Sequence, residues 1–205
     1  ERYLDRLDDI PLPNYTPGEL DEKPAFQQRE HHGAYNNPGS YPAAEMTDDD
    51  HRLVRAAYWA MCDLIDAQVG RMLDALDRTG QRENTLVIFM SDHGEMLGDH
   101  GIYLKGSHMY DAAVRVPLIA SFPGSVIGGR RSDALVELVD LAPTFLDAAG
   151  VDRYEGMQGR SLWPLLTGEV DDSHRDDVYC EYYNAMPTHT DPAAHATMVR
   201  TRTHK

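Results

Sequence analysis

The sequence is poor in three features that would each assign a protein to a well-defined class. It has only two cysteines, Cys62 and Cys180, which lie far apart, so no disulfide framework is expected. No apolar run reaches the roughly 18 residues that a membrane span requires. Basic residues are scarce, with 19 Lys and Arg against 34 Asp and Glu, a formal net charge of -15. This charge argues against nucleic-acid binding, and an anionic substrate would need local positive charge from a metal or a lysine.

The rest of the composition is that of an ordinary globular protein, with 41% hydrophobic and 26% charged residues. A chain of 205 residues can form one large domain, or a domain with a small appendage. The N-terminus lacks the basic and apolar regions of a signal peptide. Because the sequence opens at Glu1 rather than methionine and stops within a strand-like run, we expect both ends to be cuts.

Helix and strand signals begin after an irregular segment. Residues 1–46 are rich in Pro, Gly, Asn, Tyr and His, which predicts a long loop that carries function or covers a domain. Thr47 and the three aspartates after it predict a helix start, and Gly80 predicts the stop after about Thr79. The helix has apolar residues at steps of three and four, which lie on one face. These are Val54, Tyr58, Met61, Ile65, Val69, Met72 and Leu76.

The order of elements after this helix predicts an α/β fold. Residues 86–90 form an unbroken apolar run, typical of a parallel strand covered on both faces. Residues 115–122 and 134–139 predict two more strands, and residues 140–150 predict a short helix. We therefore expect a mostly parallel sheet between helices. An acidic stretch places a boundary after residue 168, so residues 1–168 form the α/β domain. Residues 169–205 then start a smaller C-terminal antiparallel sheet, with strands near 178–183 and 197–203.

Candidate functional residues begin where the first predicted strand ends. Ligands of open α/β sheets bind beyond the carboxyl ends of the strands, and Ser91, Asp92 and His93 occupy that position. A carboxylate and an imidazole there can bind one divalent metal ion, with Gly94 allowing a sharp turn. The alternative is that Asp92 caps the turn and His93 is a surface residue. A catalytic triad is not favoured, because adjacent residues cannot readily align three side chains.

A second group of polar residues follows within the same loop. Asp99, His100 and His108 are either solvated loop residues or additional ligands. Lys105 is either a surface charge or a cation placed against a transferred anion, as lysines do with phosphates.

These residues together resemble a known family. The run Asn84-Thr-Leu-Val-Ile-Phe-Met-Ser-Asp-His-Gly-Glu-Met-Leu-Gly-Asp-His-Gly101, with Lys105, Tyr110 and Arg115-Val-Pro-Leu-Ile119 after it, is similar to sulfatases of the alkaline phosphatase superfamily. The turn Gln158-Gly-Arg-Ser-Leu162 also resembles a turn of that family.

The resemblance implies an alkaline phosphatase-like sandwich and hydrolysis of sulfate esters or related phosphorus esters at one divalent metal ion. By position, Asp92 and His93 would be metal ligands, and Lys105 would be catalytic and contact the transferred group, with His108 as a further substrate contact. Ca²⁺ or Mn²⁺ is the expected ion, with Zn²⁺ or Mg²⁺ as alternatives. Many sulfatases have asparagine where His93 stands. Imidazole shifts the preference toward transition ions and resembles the phosphonate monoester hydrolase branch.

One family motif has no match. The nucleophile of sulfatases is a formylglycine made from cysteine or serine in a Cys/Ser-x-Pro-x-Arg motif, and neither Cys62 nor Cys180 lies in one. The nucleophile is therefore expected outside this chain, which alone should be inactive.

Three hypotheses remain from the sequence. The first is a metal-dependent sulfatase acting on a small-molecule ester, with no nucleic-acid or membrane partner and with a homo-oligomer left open. The second is a phosphonate monoester or phosphodiester hydrolase on the same scaffold. The third is a non-catalytic metal-binding domain.

Overall fold

The computed structural model describes residues 2–184, 186 and 193–205. The chain divides into two compact units. The first unit comprises Glu1–Met72, His93–Val116 and Glu181–Ala196, and the second comprises Leu73–Asp92, Pro117–Cys180 and Thr197–Lys205. This division does not follow the boundary expected after residue 168, which stays a prediction.

The described residues contain five α-helices, four strands and several short 3₁₀ turns. The helices are α1 (Ala25–Glu30), α2 (Asp48–Arg78), α3 (Asp111–Val114), α4 (Leu141–Ala148) and α5 (Trp163–Thr167). The strands are β1 (Val87–Met90), β2 (Leu118–Ser121), β3 (Asp177–Tyr183) and β4 (His195–Thr201). The 3₁₀ turns are Leu4–Asp9, Ala34–Asn36, Ala43–Glu45, Arg82–Asn84, Asp99–Gly101 and Leu138–Asp140. No helix in the described part is long and apolar enough to cross a membrane.

The long helix α2 confirms the predicted start and stop. The Thr47 hydroxyl accepts the Asp50 N–H at 3.2 Å, and the Asp50 carboxylate accepts the Thr47 N–H at 2.9 Å. This reciprocal pair satisfies two of the amide groups that a helix start leaves open. The hydrogen bonds from Thr47 also lower the pKa of Asp50.

The apolar stripe of α2 is more open to solvent than its periodicity suggests. Met61, Ile65 and Met72 are each more than half exposed, whereas Val54 packs against a cluster formed by buried residues of the first unit. Periodicity identifies the apolar face of a helix, but it does not say what covers that face.

The first two predicted strands exist, but their pairing and burial differ from the expectation. β1 pairs antiparallel with β2, with Val87 opposite Ser121 and Met90 opposite Leu118. The expected mostly parallel order is not confirmed, and β1 is only partly buried, with Phe89 36% exposed. An apolar run of four or five residues is compatible with either strand direction, so the sequence pattern could not decide between them. β3 and β4 pair in a second two-stranded sheet near the predicted positions.

The strand predicted at residues 134–139 is wrong. Residues 134–137 have no strand in the structure, and Leu138–Asp140 form a 3₁₀ turn that leads directly into α4. A local helix-start signal overrides the strand pattern, because Glu137 and Asp140 form a capping box that starts the helical segment. The predicted helix itself is confirmed as α4.

The second unit contains a buried carboxylate that joins three separate segments. Asp140 is fully buried, and its Oδ1 accepts the Arg160 N–H at 2.8 Å as well as a bond from Arg175. Its Oδ2 accepts the Glu137 N–H at 2.9 Å and bonds His174 Nε2 at 3.1 Å. Burying a charge is costly unless its hydrogen bonds are complete, and these four partners offset the cost of burying the Asp140 carboxylate.

Replacing Asp140 should therefore destabilise the protein strongly. Asp140→Asn should lower the free energy of unfolding by about 3–5 kcal/mol, since it removes the fully buried anion that Arg175 and His174 share and leaves Arg175 with Glu137 as its carboxylate partner. Urea unfolding of the wild-type protein and the variant measures this. Asp133→Asn is the matched control, because Asp133 lies exposed in the same unit. A loss below about 1 kcal/mol for Asp140→Asn would contradict the structural role assigned here.

Candidate active site

The predicted ligand pair follows β1 directly. β1 ends at Met90, and the side chains of Asp92 and His93 are both exposed. His93 Nδ1 lies 2.8 Å from the carbonyl oxygen of Gly94. A carbonyl can only accept, so this bond selects the tautomer protonated at Nδ1 and leaves the lone pair on Nε2. Histidine ligands of metals are commonly oriented by such a bond.

Gly94 is required here by close packing. Its N–H donates to the Ala113 carbonyl at 2.8 Å, and the next N–H, of Glu95, donates to the Ala112 carbonyl at 3.0 Å. A Cβ at position 94 would lie 1.8 Å from the carbonyl oxygen of Ala112. No side chain fits there without moving the backbone, so the chain after His93 is held against α3.

The Glu95 carboxylate organises the loop between His93 and Lys105. Its Oε1 accepts the Leu97 N–H at 3.1 Å and the Leu104 N–H at 2.6 Å. Leu97 and Leu104 both have left-handed backbones, with φ of 47° and 66°. Such conformations are unfavourable for leucine and persist only where the surroundings fix them. Glu95 therefore determines the direction in which the chain enters Lys105, and no local sequence signal marks this role.

Asp99 and His100 have partners other than a metal. Asp99 pairs with Arg55 and accepts the Asn14 N–H at 2.9 Å. His100 Nδ1 lies 2.8 Å from Glu19 Oε1, and its ring stacks on Tyr110 with a centroid distance of 4.0 Å. In the described ranges no three His, Cys, Asp or Glu residues are grouped so as to hold a metal ion. The two residues tie the loop to the N-terminal segment and to α2.

The expectation that His108 contacts substrate is corrected by its position. His108 has no exposed surface, and its Nε2 bonds the carboxylate of Glu30, which is equally buried on α1. A side chain without surface cannot touch a substrate, so this pair links α1 to the segment that follows Lys105. Glu30 lies 78 residues from His108 and offered no local signal for the pairing.

Lys105 itself is partly exposed and lies beside an aromatic ring. Its Nζ is 5.1 Å from the centroid of the Tyr35 ring. Tyr35 belongs to residues 1–46, for which the sequence predicts only irregular structure. No motif identifies Tyr35 as a residue near Lys105.

A buried tyrosine of the loop forms a hydrogen bond with a histidine of α2. Tyr103 is 1% exposed, and its hydroxyl lies 2.6 Å from His51 Nδ1. Burial raises the pKa of Tyr103 to about 12, so the hydroxyl stays protonated in its hydrogen bond with the His51 ring. Burial also lowers the pKa of His51, because the charged form is desolvated.

Comparison with solved structures defines the class of fold. The phosphonate monoester hydrolase SpPMH from Silicibacter pomeroyi is similar over 96% of this chain and 41% of its own, with a TM-score of 0.81 and 30% identity. BT4656, solved in complex with D-glucosamine-2-N,6-O-disulfate, is similar over 78% of this chain and 33% of its own, with a TM-score of 0.66 and 32% identity. The chain thus has the alkaline phosphatase-like fold that these hydrolases share.

Sequence comparison gives the family. The family model described as Sulfatase matches residues 25–151, and the one described as N-sulphoglucosamine sulphohydrolase, C-terminal, matches residues 98–205. An N-acetylglucosamine-6-O-sulfatase of Bacteroides thetaiotaomicron is 38% identical over 65% of this chain and 24% of its own length. Arylsulfatase K of Gallus gallus is 38% identical over 62% of this chain and 24% of its own.

The chain belongs to the sulfatase family, and it spans about a quarter of the length of these curated relatives.

The lowered pKa of His51 predicts a pH dependence of stability. Because the folded state disfavours the charged imidazole, its contribution is complete above the ordinary histidine pKa of about 6.5 and is lost as the pH falls below that value. His51→Gln should make the loss of stability as the pH falls below about 6.5 less steep. Urea unfolding across this range checks it, with the exposed His204→Gln as the control. Equal slopes for His51→Gln and the wild-type protein would contradict it.

Proposed function

We propose that this chain supplies part of the active site of a metal-dependent hydrolase of sulfate esters. Asp92 and His93 bind one divalent metal ion, and Lys105 binds the oxygens of the transferred group. Family membership supports this proposal, and so does the contact that carries it, the 2.8 Å bond between His93 Nδ1 and the Gly94 carbonyl. That bond presents Nε2 as the nitrogen that can coordinate.

The residues present fit a divalent metal ion. A carboxylate and an imidazole suit Mn²⁺ and other first-row ions, and Ca²⁺ remains compatible through the carboxylate and additional oxygen ligands. A bound ion would act as a Lewis acid toward the ester oxygens. Two ligands leave most of the coordination sphere to other groups, so we place the remaining ligands elsewhere in a longer protein.

Lys105 supplies the positive charge that an anionic ester needs in a protein with a net charge of -15. A sulfate ester carries one negative charge, and charge moves onto the leaving oxygen as the S–O bond breaks. A cation beside that oxygen therefore stabilises the transition state more than the ground state.

The nucleophile is proposed to lie outside these 205 residues. Cys62 is exposed on α2 and Cys180 lies in β3, neither is part of a disulfide, and neither has the surrounding Cys/Ser-x-Pro-x-Arg sequence. Formylglycine would supply a hydrated aldehyde as the attacking group. The coverage of about a quarter of the relatives' lengths is consistent with a longer enzyme that contains it.

The proposed substrate class is a sulfated sugar. One relative is named for the 6-O-sulfate of N-acetylglucosamine, and BT4656 was solved with a disulfated glucosamine. The second candidate is a phosphonate monoester, favoured by the TM-score of 0.81 with SpPMH. Turnover of matched aryl sulfate and aryl phosphonate esters, followed by sulfated glucosamines, would distinguish the two. Faster turnover of the phosphonate would reject sulfate esters as the primary substrates.

Removal of the lysine should lower turnover in the longer enzyme. Lys105→Ala is expected to reduce kcat by about 10²- to 10³-fold, the scale of losing one preorganised electrostatic group, while metal content stays unchanged. Steady-state kinetics measures this, with the exposed Lys23→Ala as the matched control. A change in kcat within about twofold would show that Lys105 is a solvated surface lysine.

Removal of the proposed carboxylate ligand should have a different signature. Asp92→Ala should lose bound metal and activity together, because a ligand of the ion is removed. Metal analysis of the purified variant and its activity provide the two measurements. Asp152→Ala, at another exposed aspartate, should change neither. Retention of full metal content by Asp92→Ala would remove Asp92 from the ligand set.

A further inference from the structure

The contact between Tyr35 and Lys105 joins two segments that are each held in unusual backbone conformations. Tyr35 and the residue after it, Asn36, have left-handed φ angles of 57° and 56°. Leu104, immediately before Lys105, has φ of 66°. A non-glycine residue adopts this conformation at a cost, so the surrounding structure must fix it.

The loop that carries Tyr35 is closed by its own hydrogen bonds. The Ala34 N–H donates to the Ser40 carbonyl at 2.6 Å, and the Ser40 N–H donates to the Asn37 carbonyl at 3.1 Å. A Cβ on Gly33 would lie 2.1 Å from the Asn37 carbonyl oxygen, so the two ends of the loop meet too closely for any other residue.

The same loop is anchored in the core of the first unit. Ala34 has no exposed surface and belongs to a buried cluster with Ala43 and Tyr103. The ring of Tyr41, at the other end of the loop, lies 5.6 Å from the ring of Tyr103. The backbone of Tyr35 is therefore fixed relative to Tyr103, which precedes Lys105 by two residues.

The backbone that leads into Lys105 is fixed by the Glu95 carboxylate, which accepts the Leu104 N–H at 2.6 Å. The Lys105 ammonium then lies 5.1 Å from the centroid of the Tyr35 ring, within the distance of a cation–π contact. Across the described residues Lys105 forms no ion pair with a carboxylate. The ring attracts the cation but does not neutralise it.

We propose that Tyr35 is a positioning residue for Lys105, because its ring locates the ammonium while leaving its charge available to an anionic ester. A carboxylate in the same place would compete with the ester for the cation, whereas an aromatic face does not. The inference rests on the proposed function, in which Lys105 meets the ester. The contact itself can be tested without any turnover.

The first experiment detects the contact in the chain by NMR. The sequence has three lysines, Lys23, Lys105 and Lys205, so ¹³C-dimethylation, which retains the charge, gives a spectrum that Lys→Arg variants assign. We expect the Lys105 methyl signal to be displaced upfield by the Tyr35 ring current. Tyr35→Leu should move it to the position of the Lys23 signal, and Tyr35→Phe should preserve the displacement.

Tyr41→Leu is the matched control. Tyr41 is a second tyrosine of the same loop with a left-handed backbone, but its ring packs against the ring of Tyr103. This variant should leave the Lys105 signal displaced. A Lys105 signal that is undisplaced in the wild-type protein, or unchanged by Tyr35→Leu, would overturn the proposal.

The second experiment connects the contact to catalysis through a double-mutant cycle in the longer enzyme. Tyr35→Leu should lower kcat by about two- to fivefold with little change in KM, the scale of a partly exposed cation–π contact. It should have no further effect when Lys105 is already alanine. Tyr35→Phe, which keeps the ring, should retain most of the wild-type kcat.

The outcomes separate the two proposals. An equal loss of kcat from Tyr35→Leu in the wild-type and Lys105→Ala backgrounds would overturn the positioning role of Tyr35. No loss of kcat from Tyr35→Leu in either background, with Lys105→Ala itself strongly impaired, would also overturn it. Unchanged turnover of Lys105→Ala would instead reject the proposed role of the lysine. The NMR displacement would still report whether the two side chains meet.

Discussion

The carboxylate of Glu95 is the constraint on which the candidate site depends. It accepts two backbone N–H groups, from Leu97 and Leu104, and both of these residues have left-handed backbones. Hydrogen bonds to a charged acceptor are stronger than those between neutral groups, so one side chain can hold two unfavourable conformations. The loop between His93 and Lys105 thereby has a fixed shape, and the lysine enters the site from a backbone whose direction is set.

Local signals made part of this arrangement predictable. The helix start at Thr47, the strand before Asp92 and the helix α4 each depend on residues within a few positions of one another, and all three were found. The direction of the β1–β2 pairing was not predictable, because a short apolar run fits parallel and antiparallel strands equally well. The prediction of a strand at residues 134–139 is wrong because a capping box at Glu137 favours a helical turn.

The partners of the site residues could not be predicted for a different reason. Glu30 and His108 meet across 78 residues, and Arg55 and Asp99 meet across 44. Neither pair has a spacing that marks it in the sequence. The composition of the N-terminal segment predicts irregular structure, and apart from α1 the segment consists of turns, short 3₁₀ turns and irregular chain, yet Tyr35 reaches Lys105 from it. Composition shows that such a segment lacks regular structure, but it does not show which of its side chains approach the site.

A carboxylate partner distinguishes two arginines of the first unit, Arg55 and Arg2, from Lys105. Arg55 pairs with Asp99, and Arg2 pairs with Asp63 while also lying 5.5 Å from the centroid of the Tyr3 ring, so a carboxylate within the protein balances each of these two charges. Lys105 instead lies beside the Tyr35 ring. A balanced charge exerts little attraction on a third group, whereas an ammonium on an aromatic face retains most of its field. In a protein with a net charge of -15, Lys105, which lies on a ring and forms no ion pair with a carboxylate among the described residues, is therefore better suited to attract an anion than Arg55 or Arg2.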